Sequence, residues 1–186
     1  LFKHFANIDS VPIVLNAHTA DEIVNVVRAI APSFGGINLE DIAAPICFEV
    51  EDRLKAELSI PVFHDDQHGT ATITLAGLIN ACKVTGRNLK DCKIVIVGAG
   101  SAGVAIAKLL KKYANPMLIA VDSKGVISSD RTDLNASKKL LLEFTNTDNI
   151  SGQLADVLHD ADVFIGVSSA GLLTQDMVRT MAKDPI

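Results

Sequence analysis

The sequence predicts an α/β protein built on doubly wound parallel sheets. Short apolar strand-like runs alternate with helical patterns along most of the 186 residues, and this order is typical of parallel strands joined by helices. A continuous apolar run, Lys93 to Val97, leads directly into a glycine-rich turn, Gly98 to Gly103. Such a run indicates a strand that is covered on both faces. Two carboxylate pairs, Glu40-Asp41 and Asp65-Asp66, also follow strand-like runs, so chemistry is expected at strand ends.

Composition and charge exclude several classes of protein. With 48% hydrophobic residues, the chain can bury a sizeable core in one domain or two small ones. A net charge of -5 and the lack of basic stretches interleaved with aromatic residues argue against nucleic acid as a partner. No apolar run approaches the length of a membrane span, and the first residues lack the order of a signal peptide. We therefore expect small-molecule chemistry.

Cysteine usage favours a reducing compartment. The three cysteines are an odd number without CxxC spacing, so neither a disulfide framework nor a thiolate zinc site is indicated. A cytoplasmic location is the prediction. Because the sequence starts at Leu1 and stops at Ile186, where an apolar run begins, we also expect both ends to be incomplete.

The N-terminal part is predicted to contain a strand, a capped helix and further strands. Ser10 to Leu15 is predicted as a short strand, and Thr19 and Glu22 have capping-box spacing before a helix over Ala20 to Ile30. The remaining elements are a strand over Phe34 to Leu39, a helix from Pro45 to Leu58, a strand over Ile60 to Phe63 and a helix over Gly69 to Val84. The last helix is apolar on nearly all faces, which predicts that it is buried.

The second half repeats the strand and helix alternation. After the strand Lys93 to Val97 the pattern predicts a helix over Val104 to Tyr113, a strand over Met117 to Val121, helices over Leu134 to Phe144 and near Leu154, a strand over Val163 to Val167, and a helix from Thr174 to Ala182.

The turn Gly98-Ala99-Gly100-Ser101-Ala102-Gly103 has the GxGxxG pattern in its required context, between a strand and a helix. The first glycine allows the tight turn, the second lets the backbone approach a pyrophosphate, and the third allows close packing of helix and strand. The helix start offers free amides to phosphates. The alternative is that the glycines serve packing alone, but the context favours a dinucleotide cofactor.

Asp122 ends the next predicted strand, 19 residues after Gly103. A carboxylate at this place can accept hydrogen bonds from the adenosine ribose, and it would repel a 2′-phosphate. This favours NAD over NADP as the cofactor. Lys124 could still receive a phosphate if its loop turns inward, so NADP stays open.

The carboxylate pairs admit two interpretations. Glu40-Asp41 and Asp65-Asp66 could converge on one Mg²⁺ or Mn²⁺, because these ions prefer hard oxygen ligands and neutralise carboxylates that would otherwise repel. The same acids could instead cap the helices that follow them. The residues alone leave both open.

Histidines and serines near these motifs give weaker signals. His64 and His68 flank the second acid pair, but no third nitrogen or sulfur ligand is near in sequence, so supporting or surface roles are favoured over zinc. Ser168-Ser169 follows the last strand without a histidine or acid placed to activate it. Contact with the cofactor is the better prediction for Ser168.

Four segments in this order resemble the malic enzyme family in its smaller bacterial form. They are GGINLEDI (Gly35 to Ile42), PVFHDDQHGTA (Pro61 to Ala71), KIVIVGAGSAG (Lys93 to Gly103) and ADVFIGVSSAG (Ala161 to Gly171). The resemblance covers essentially the whole chain. It implies part of an N-terminal α/β substrate and metal domain over residues 1–67, and a Rossmann-type NAD(P)-binding domain over residues 68–186 that is incomplete at its C-terminus.

The resemblance also implies residue roles and a reaction. Glu40, Asp41 and Asp66 resemble the ligands of a catalytic Mg²⁺ or Mn²⁺, and Asp65 resembles the neighbouring acid that orients catalytic groups. The implied activity is oxidation of (S)-malate with hydride transfer to NAD(P)⁺, followed by loss of CO₂ to give pyruvate. A homodimer or larger oligomer is implied as well.

Two expected catalytic residues have no counterpart in the sequence. The family uses a tyrosine as general acid and a lysine as general base, and the resemblance places both before Leu1. Tyr113, the only tyrosine, lies at the end of the helix after the glycine turn. We therefore expect this chain to bind cofactor without turning over malate, and metal binding by it is left open.

Two rival functions are left open by the sequence. A malolactic enzyme, which resembles this family closely, would convert malate to lactate with bound NAD. A non-catalytic nucleotide-binding module would account for the missing acid and base. Product analysis separates the two enzymes, and the residues that precede Leu1 in the parent sequence would test the module.

Overall fold

The computed structural model describes all residues from Leu1 to Ile186 and contains two separate sheets. The strands are β1 (Ile37–Leu39), β2 (Val62–His64), β3 (Lys93–Val97), β4 (Met117–Asp122), β5 (Gly125–Val126) and β6 (Val163–Gly166). The α-helices are α1 (Phe2–Ala6), α2 (Ala20–Ile30), α3 (Ile46–Glu57), α4 (Thr70–Thr85), α5 (Ser101–Tyr113), α6 (Ala136–Leu142), α7 (Leu154–Leu158) and α8 (Gln175–Thr180). Short 3-10 turns lie at Ala31–Ser33 and Leu89–Asp91, and a π-helical turn lies at Asp65–Gly69. The predicted α/β class is confirmed.

Helices α2 and α3 pack against the small sheet of β1 and β2. The predicted capping box is present, with the Thr19 hydroxyl accepting from the Glu22 amide and the Glu22 carboxylate accepting from the Thr19 amide. The two helices bury aliphatic residues against Leu39 and Val62 of the sheet. This core is separate from the core of the larger sheet, and it supports the strand ends that carry the acid pairs.

The strand predicted over Ser10 to Leu15 is wrong. These residues form no ladder, and Val11 and Val14 are exposed. A strand exists only when its backbone groups pair with another strand, and β1 pairs with β2 alone. An apolar, β-branched sequence is therefore not enough to make one here.

Helix α4 differs from the prediction that it is buried on all faces. It buries Ala71, Leu78 and Cys82 in the larger core, but Ile73 and Val84 are 74% and 87% exposed. Helix α5 and the turns Asp65–Gly69 and Leu89–Asp91 contact α4, and they leave Ile73 and Val84 exposed.

The larger sheet has the strand order β5-β4-β3-β6. Strands β4, β3 and β6 run parallel, with Val97 beside both Val121 and Gly166. The sequence pattern predicts a loop after β4, whereas in the structure Gly125–Val126 pairs antiparallel with the end of β4. The carboxyl ends of β3, β4 and β6 meet at one edge, where ligands of such sheets bind.

None of the helices combines the length and the apolar character needed to cross a bilayer.

Candidate active site

The glycine turn joins β3 to α5 with the tight turn predicted at Gly98 and the close packing predicted at Gly103. Gly98 has a φ of 125°, and a Cβ there would lie 2.7 Å from the Val167 carbonyl oxygen. A Cβ on Gly103 would overlap with the carbonyl oxygen of Gly98, so the helix can approach the strand only with glycine at this position. Both positions require glycine for packing, whatever else the turn does.

Gly100 is different, because open space surrounds the position where its Cβ would be. It precedes the first residue of α5, and no side chain caps that helix. The first amides of a helix have no partner within the helix and carry its positive dipole end. Open space over uncapped amides fits a pyrophosphate, with Ala99, Ser101 and Ala102 forming the rest of the loop.

A cavity of about 210 Å³ lies beside this turn at the ends of β3 and β6. Ser168 lines it together with Val97, Gly166 and Leu172. The structure thus brings Ser168 to the same sheet edge as the glycine turn, where contact with a cofactor was predicted.

Asp122 also reaches this edge, because Val121 accepts a hydrogen bond from the Gly98 amide at 3.0 Å. Its carboxylate is already occupied, however. Arg131 binds both oxygens at 2.9 Å, and Lys138 Nζ lies 2.7 Å from Oδ2. The amide of Lys124 donates to Oδ1 at 2.8 Å. The ribose role of Asp122 stays a prediction, with the added condition that the carboxylate shares its oxygens with two cations.

Charge balance keeps this carboxylate ionised. The side chain of Asp122 is only 7% exposed, and burial acts to raise its pKa. The bonds from Arg131 and Lys138 outweigh burial and lower the pKa to about 2. Sequence reasoning had no signal for the Arg131 contact, because a loop arginine has many carboxylates within reach.

The acid pairs meet at the end of the small sheet. Strand pairing aligns Leu39 with His64, so Glu40 and Asp41 leave the sheet beside Asp65 and Asp66. The backbone amide of Asp41 donates to Asp66 Oδ2 at 3.2 Å, and Asp41 has the unusual φ of 58°. The structure therefore brings together two segments that are far apart in sequence, as predicted.

The acidic side chains of the two pairs do not surround a common point. No group of three or more acidic, histidine or cysteine side chains lies close enough to hold an ion. The Glu40 carboxylate instead accepts from Asn38 Nδ2 at 2.8 Å. The backbone placement and the oxygen donors fit a hard divalent ion, provided that the exposed Glu40 side chain turns toward Asp41 and Asp66. Metal ligation by these residues stays a prediction.

The second acid pair lies on the π-helical turn Asp65–Gly69, a form that is often found at functional sites. A Cβ on Gly69 would overlap with Asp65 Oδ1, so glycine here makes room for that carboxylate. The turn packs against both α4 and α5, which connects the acids to the helix of the cofactor loop.

Glu51 of α3 holds this turn, and sequence reasoning missed it. Its side chain is 5% exposed, and both its oxygens face His68 Nε2, at 2.7 and 2.9 Å. Gln67 Nε2 donates to it at 3.2 Å and Lys55 Nζ lies at 2.7 Å. Burial acts to raise the pKa of Glu51, but Lys55 and His68 outweigh it and the pKa is lowered. The signal that could have identified Glu51 is an acidic residue at a core-facing position of a helix.

His64 is fully buried below the same turn, and neither ring nitrogen has a hydrogen-bond partner. Its Nε2 lies 3.7 Å from Asp66 Oδ2, and burial lowers its pKa. The imidazole next to Asp66 is therefore neutral, and no group of three or more possible ligands is close enough to form a zinc site. The supporting role of His64 stays a prediction.

The cysteines take no part in this chemistry. Cys47, Cys82 and Cys92 are buried and free of disulfides, and burial raises the pKa of Cys47 and Cys92 to about 11. Protonated thiols of this kind are poor nucleophiles.

Comparison with known proteins agrees with this arrangement. Residues 67–185 match the family model "Malic enzyme, NAD binding domain", and residues 16–55 match "Malic enzyme, N-terminal domain". The chain belongs to the malic enzyme family. The resemblance seen in the sequence is confirmed, and the first model covers the glycine turn, Asp122 and Ser168.

The relatives of this malic enzyme chain differ in the cofactor that they are named for. It is 55% identical to a bifunctional malic/malolactic enzyme of Bacillus subtilis and 50% identical to an NADP-dependent malic enzyme of Rhizobium meliloti, in each case over its full length. The crystal structure of an NAD-dependent malic enzyme from Thermotoga maritima covers 99% of the chain, with a TM-score of 0.95 and 42% identity. The chain spans 46%, 24% and 49% of these proteins, respectively.

Proposed function

We propose that this chain supplies the metal-binding edge and the nicotinamide-cofactor domain of an enzyme that converts (S)-malate to pyruvate and CO₂ with reduction of NAD(P)⁺. One observation carries the proposal. The turn that bears Asp65 and Asp66 packs directly against α5, whose start is the uncapped end of the glycine loop. Acids suited to a divalent ion and a loop suited to a dinucleotide thus lie on elements that contact each other.

In this proposal Glu40, Asp41 and Asp66 hold Mg²⁺ or Mn²⁺. A bound divalent ion would supply Lewis-acid chemistry, drawing electron density from the oxygens of malate. Asp66 already reaches the neighbouring strand end through the Asp41 amide. Asp65 lies over Gly69 at the same turn and is assigned to orienting catalytic groups.

The glycine turn is assigned to binding the cofactor rather than the metal. The amides of Ala99 to Ala102 bind the pyrophosphate, because no side chain competes for them at the start of α5. Ser168 lines the cavity at the ends of β3 and β6 and is assigned to contact with the cofactor. Asp122 lies at the other side of the turn, where the adenosine ribose is expected.

Metal binding and turnover test the proposal together. In the complete polypeptide, Asp66→Asn should abolish NAD(P)H formation from malate and weaken Mn²⁺ binding in a direct titration. Asp52→Asn, an exposed acid of α3, is the matched control and should change neither. Unchanged Mn²⁺ affinity in Asp66→Asn would contradict the metal role.

The 186 residues alone are expected to bind cofactor without oxidising malate, because the resemblance assigns the general acid and base to residues outside them. NAD(P)H formation by this chain from malate and Mn²⁺ would refute that expectation.

A malolactic reaction is the second candidate, since a 55% identical relative is named for both activities. Lactate as the product, without net formation of NADH, would favour it over the malic enzyme reaction. The two reactions need the same metal and cofactor residues, so mutations of these residues do not separate them.

Three further features belong to the proposal. A division near residue 67 between a substrate and metal domain and a cofactor domain is supported by the two separate cores. The three free, buried thiols support a reducing cytoplasmic location. A homodimer is carried over from the family resemblance, and the molar mass of the complete polypeptide in solution tests it.

A further inference from the structure

We propose that Glu51 is a positioning residue of the metal site: from α3 it fixes the π-helical turn Asp65–Gly69 and so sets the affinity for the divalent ion. The inference rests on the proposed function, since it concerns the ion assigned to Glu40, Asp41 and Asp66. It extends that function to a buried side chain that is not among the assigned ligands and lies on a helix that carries none of them.

The residues of the π-helical turn face two different partners. Asp66 Oδ2 accepts the amide of Asp41, which belongs to the neighbouring strand end, at 3.2 Å. The next two residues, Gln67 and His68, contact Glu51 at 3.2 Å and at 2.7 and 2.9 Å. The acid assigned to the ion is thus followed directly by two residues that are bound to α3. Because all of them belong to one turn, the contacts with Glu51 fix the place of Asp66.

Glu51 is a rigid anchor for these contacts. Its side chain is 5% exposed, and Lys55 Nζ, one turn further along α3, lies 2.7 Å from its Oε1. Val50 and Leu54 of the same helix are fully buried in the core that includes Val62 of β2. Helix α3 therefore supports both the strand that leads into the turn and the turn itself.

The metal site needs an anchor because four acids share one edge of the small sheet. Pairing of β1 with β2 places Glu40 and Asp41 beside Asp65 and Asp66, and like charges repel until an ion neutralises them. The anchor lies outside this group, so it holds the turn against the repulsion and leaves less order to be gained when the ion binds. Residues that support metal ligands in this way typically change the affinity for the metal about 10-fold to 100-fold.

Glu51→Asp tests position separately from charge. The change retains the negative charge but shortens the side chain by one methylene, so aspartate cannot keep the contacts with both Gln67 and His68. In the complete polypeptide, Mn²⁺ binding followed by electron paramagnetic resonance of the free ion should weaken about tenfold. Binding of 5′-ADP, a fragment of the dinucleotide, should change less than about twofold in titration calorimetry, because the glycine turn keeps its own contacts.

His68→Leu removes the other side of the same contact and leaves Glu51 in place. We expect this variant also to weaken Mn²⁺ binding about tenfold. Because both changes break one contact, the double variant should stay well below the loss of about 100-fold that two independent effects would produce. The His68 side chain is 39% exposed, so this variant keeps the test valid if Glu51→Asp unfolds.

Val24→Ala is the control for stability alone. Val24 is fully buried in the same core as Val50, but it lies on α2 rather than on α3. Its truncation removes buried apolar contacts and destabilises the fold without removing a bond to the turn. Far-UV circular dichroism verifies that each variant is folded. The affinities of Val24→Ala for Mn²⁺ and for 5′-ADP should both stay within about twofold of those of the unaltered protein.

The outcomes distinguish the inference from the proposed function. If the unaltered protein binds no Mn²⁺, the proposed metal site itself is wrong. If it binds Mn²⁺, and Glu51→Asp and His68→Leu bind the ion equally well, the inference is overturned. Fully additive losses in the double variant would overturn it too, because Glu51 would then act independently of His68. An equal loss of Mn²⁺ affinity in Val24→Ala would also overturn it, since stability alone would account for the effect.

Discussion

Replacing Glu51 by alanine tests whether the π-helical turn Asp65–Gly69 is held from α3. Glu51 is the acceptor for His68 and Gln67 of the turn and for Lys55 of its own helix. Truncation removes the acceptor and leaves the buried Gln67 amide without its bond. His68 and Lys55 can recover part of their loss from water, because their side chains are 39% and 45% exposed.

These contacts give a magnitude for the loss of stability. A hydrogen bond to a charged group contributes about 1.5–3 kcal/mol, and an unsatisfied buried donor costs about 1–3 kcal/mol. Because two of the partners are rehydrated, we expect Glu51→Ala to lower the free energy of unfolding by about 3 kcal/mol, at the low end of what breaking a buried ion pair costs. Glu51→Gln keeps the shape and one acceptor, so a loss of about 1–2 kcal/mol is expected.

Urea titration followed by far-UV circular dichroism measures the change, since the chain has no tryptophan and one tyrosine for fluorescence. Asp52→Asn, one residue further along α3, is the control and should stay within about 0.5 kcal/mol of the unaltered chain. A loss below about 1 kcal/mol for Glu51→Ala would refute the assignment of Glu51 as the residue that holds the turn.

Three further outcomes follow from the site. Gly103→Ala should unfold the chain more easily and abolish 5′-ADP binding, since its Cβ would overlap with the Gly98 carbonyl. Gly77→Ala is its control, with open space at the Cβ, and should stabilise α4 by about 0.5–1 kcal/mol in the same urea titration. The pKa of Asp122 is lowered from 3.8 to about 2, so the ionised carboxylate stabilises the fold fully above the unfolded pKa of 3.8. This contribution to the free energy of unfolding is lost as the pH falls through about 2. Acid unfolding of Asp122→Asn should lack that pH-dependent loss. Asp66→Asn should weaken Mn²⁺ binding at least tenfold in a direct titration, and equal binding would return Asp66 to a structural role.

Local signals in the sequence predicted many of the elements. The capping box at Thr19 and the aliphatic spacing after it predict α2 with its observed bounds, because both features act within a few residues. The glycine turn was predicted for the same reason. The strand expected at Ser10 to Leu15 failed, since strand formation depends on a distant partner that local sequence does not specify.

The candidate site also combines features that the sequence predicts with contacts that it does not predict. The carboxylate pairs were found because acids at strand ends form a local pattern, and parallel pairing then brought them together. The contacts of Asp122 with Arg131 and Lys138 join residues across a loop and a helix. The bond between Glu51 and His68 spans 17 positions. Neither set of contacts was predicted from the sequence. Each of these charged residues could pair with several residues of opposite charge, and the sequence does not show which of them the fold brings close.

The sequence by itself determined the α/β class, the family and the residue types at the two sites, because these follow from periodicity, turn chemistry and short motifs. Only the tertiary structure decided what each charged side chain faces. Asp122 is a carboxylate in the sequence, but in the fold it forms ion pairs with Arg131 of the loop before α6 and with Lys138 of α6. Charge interactions act across space and depend on burial, so the partners of a charged side chain are a property of the fold rather than of the residue.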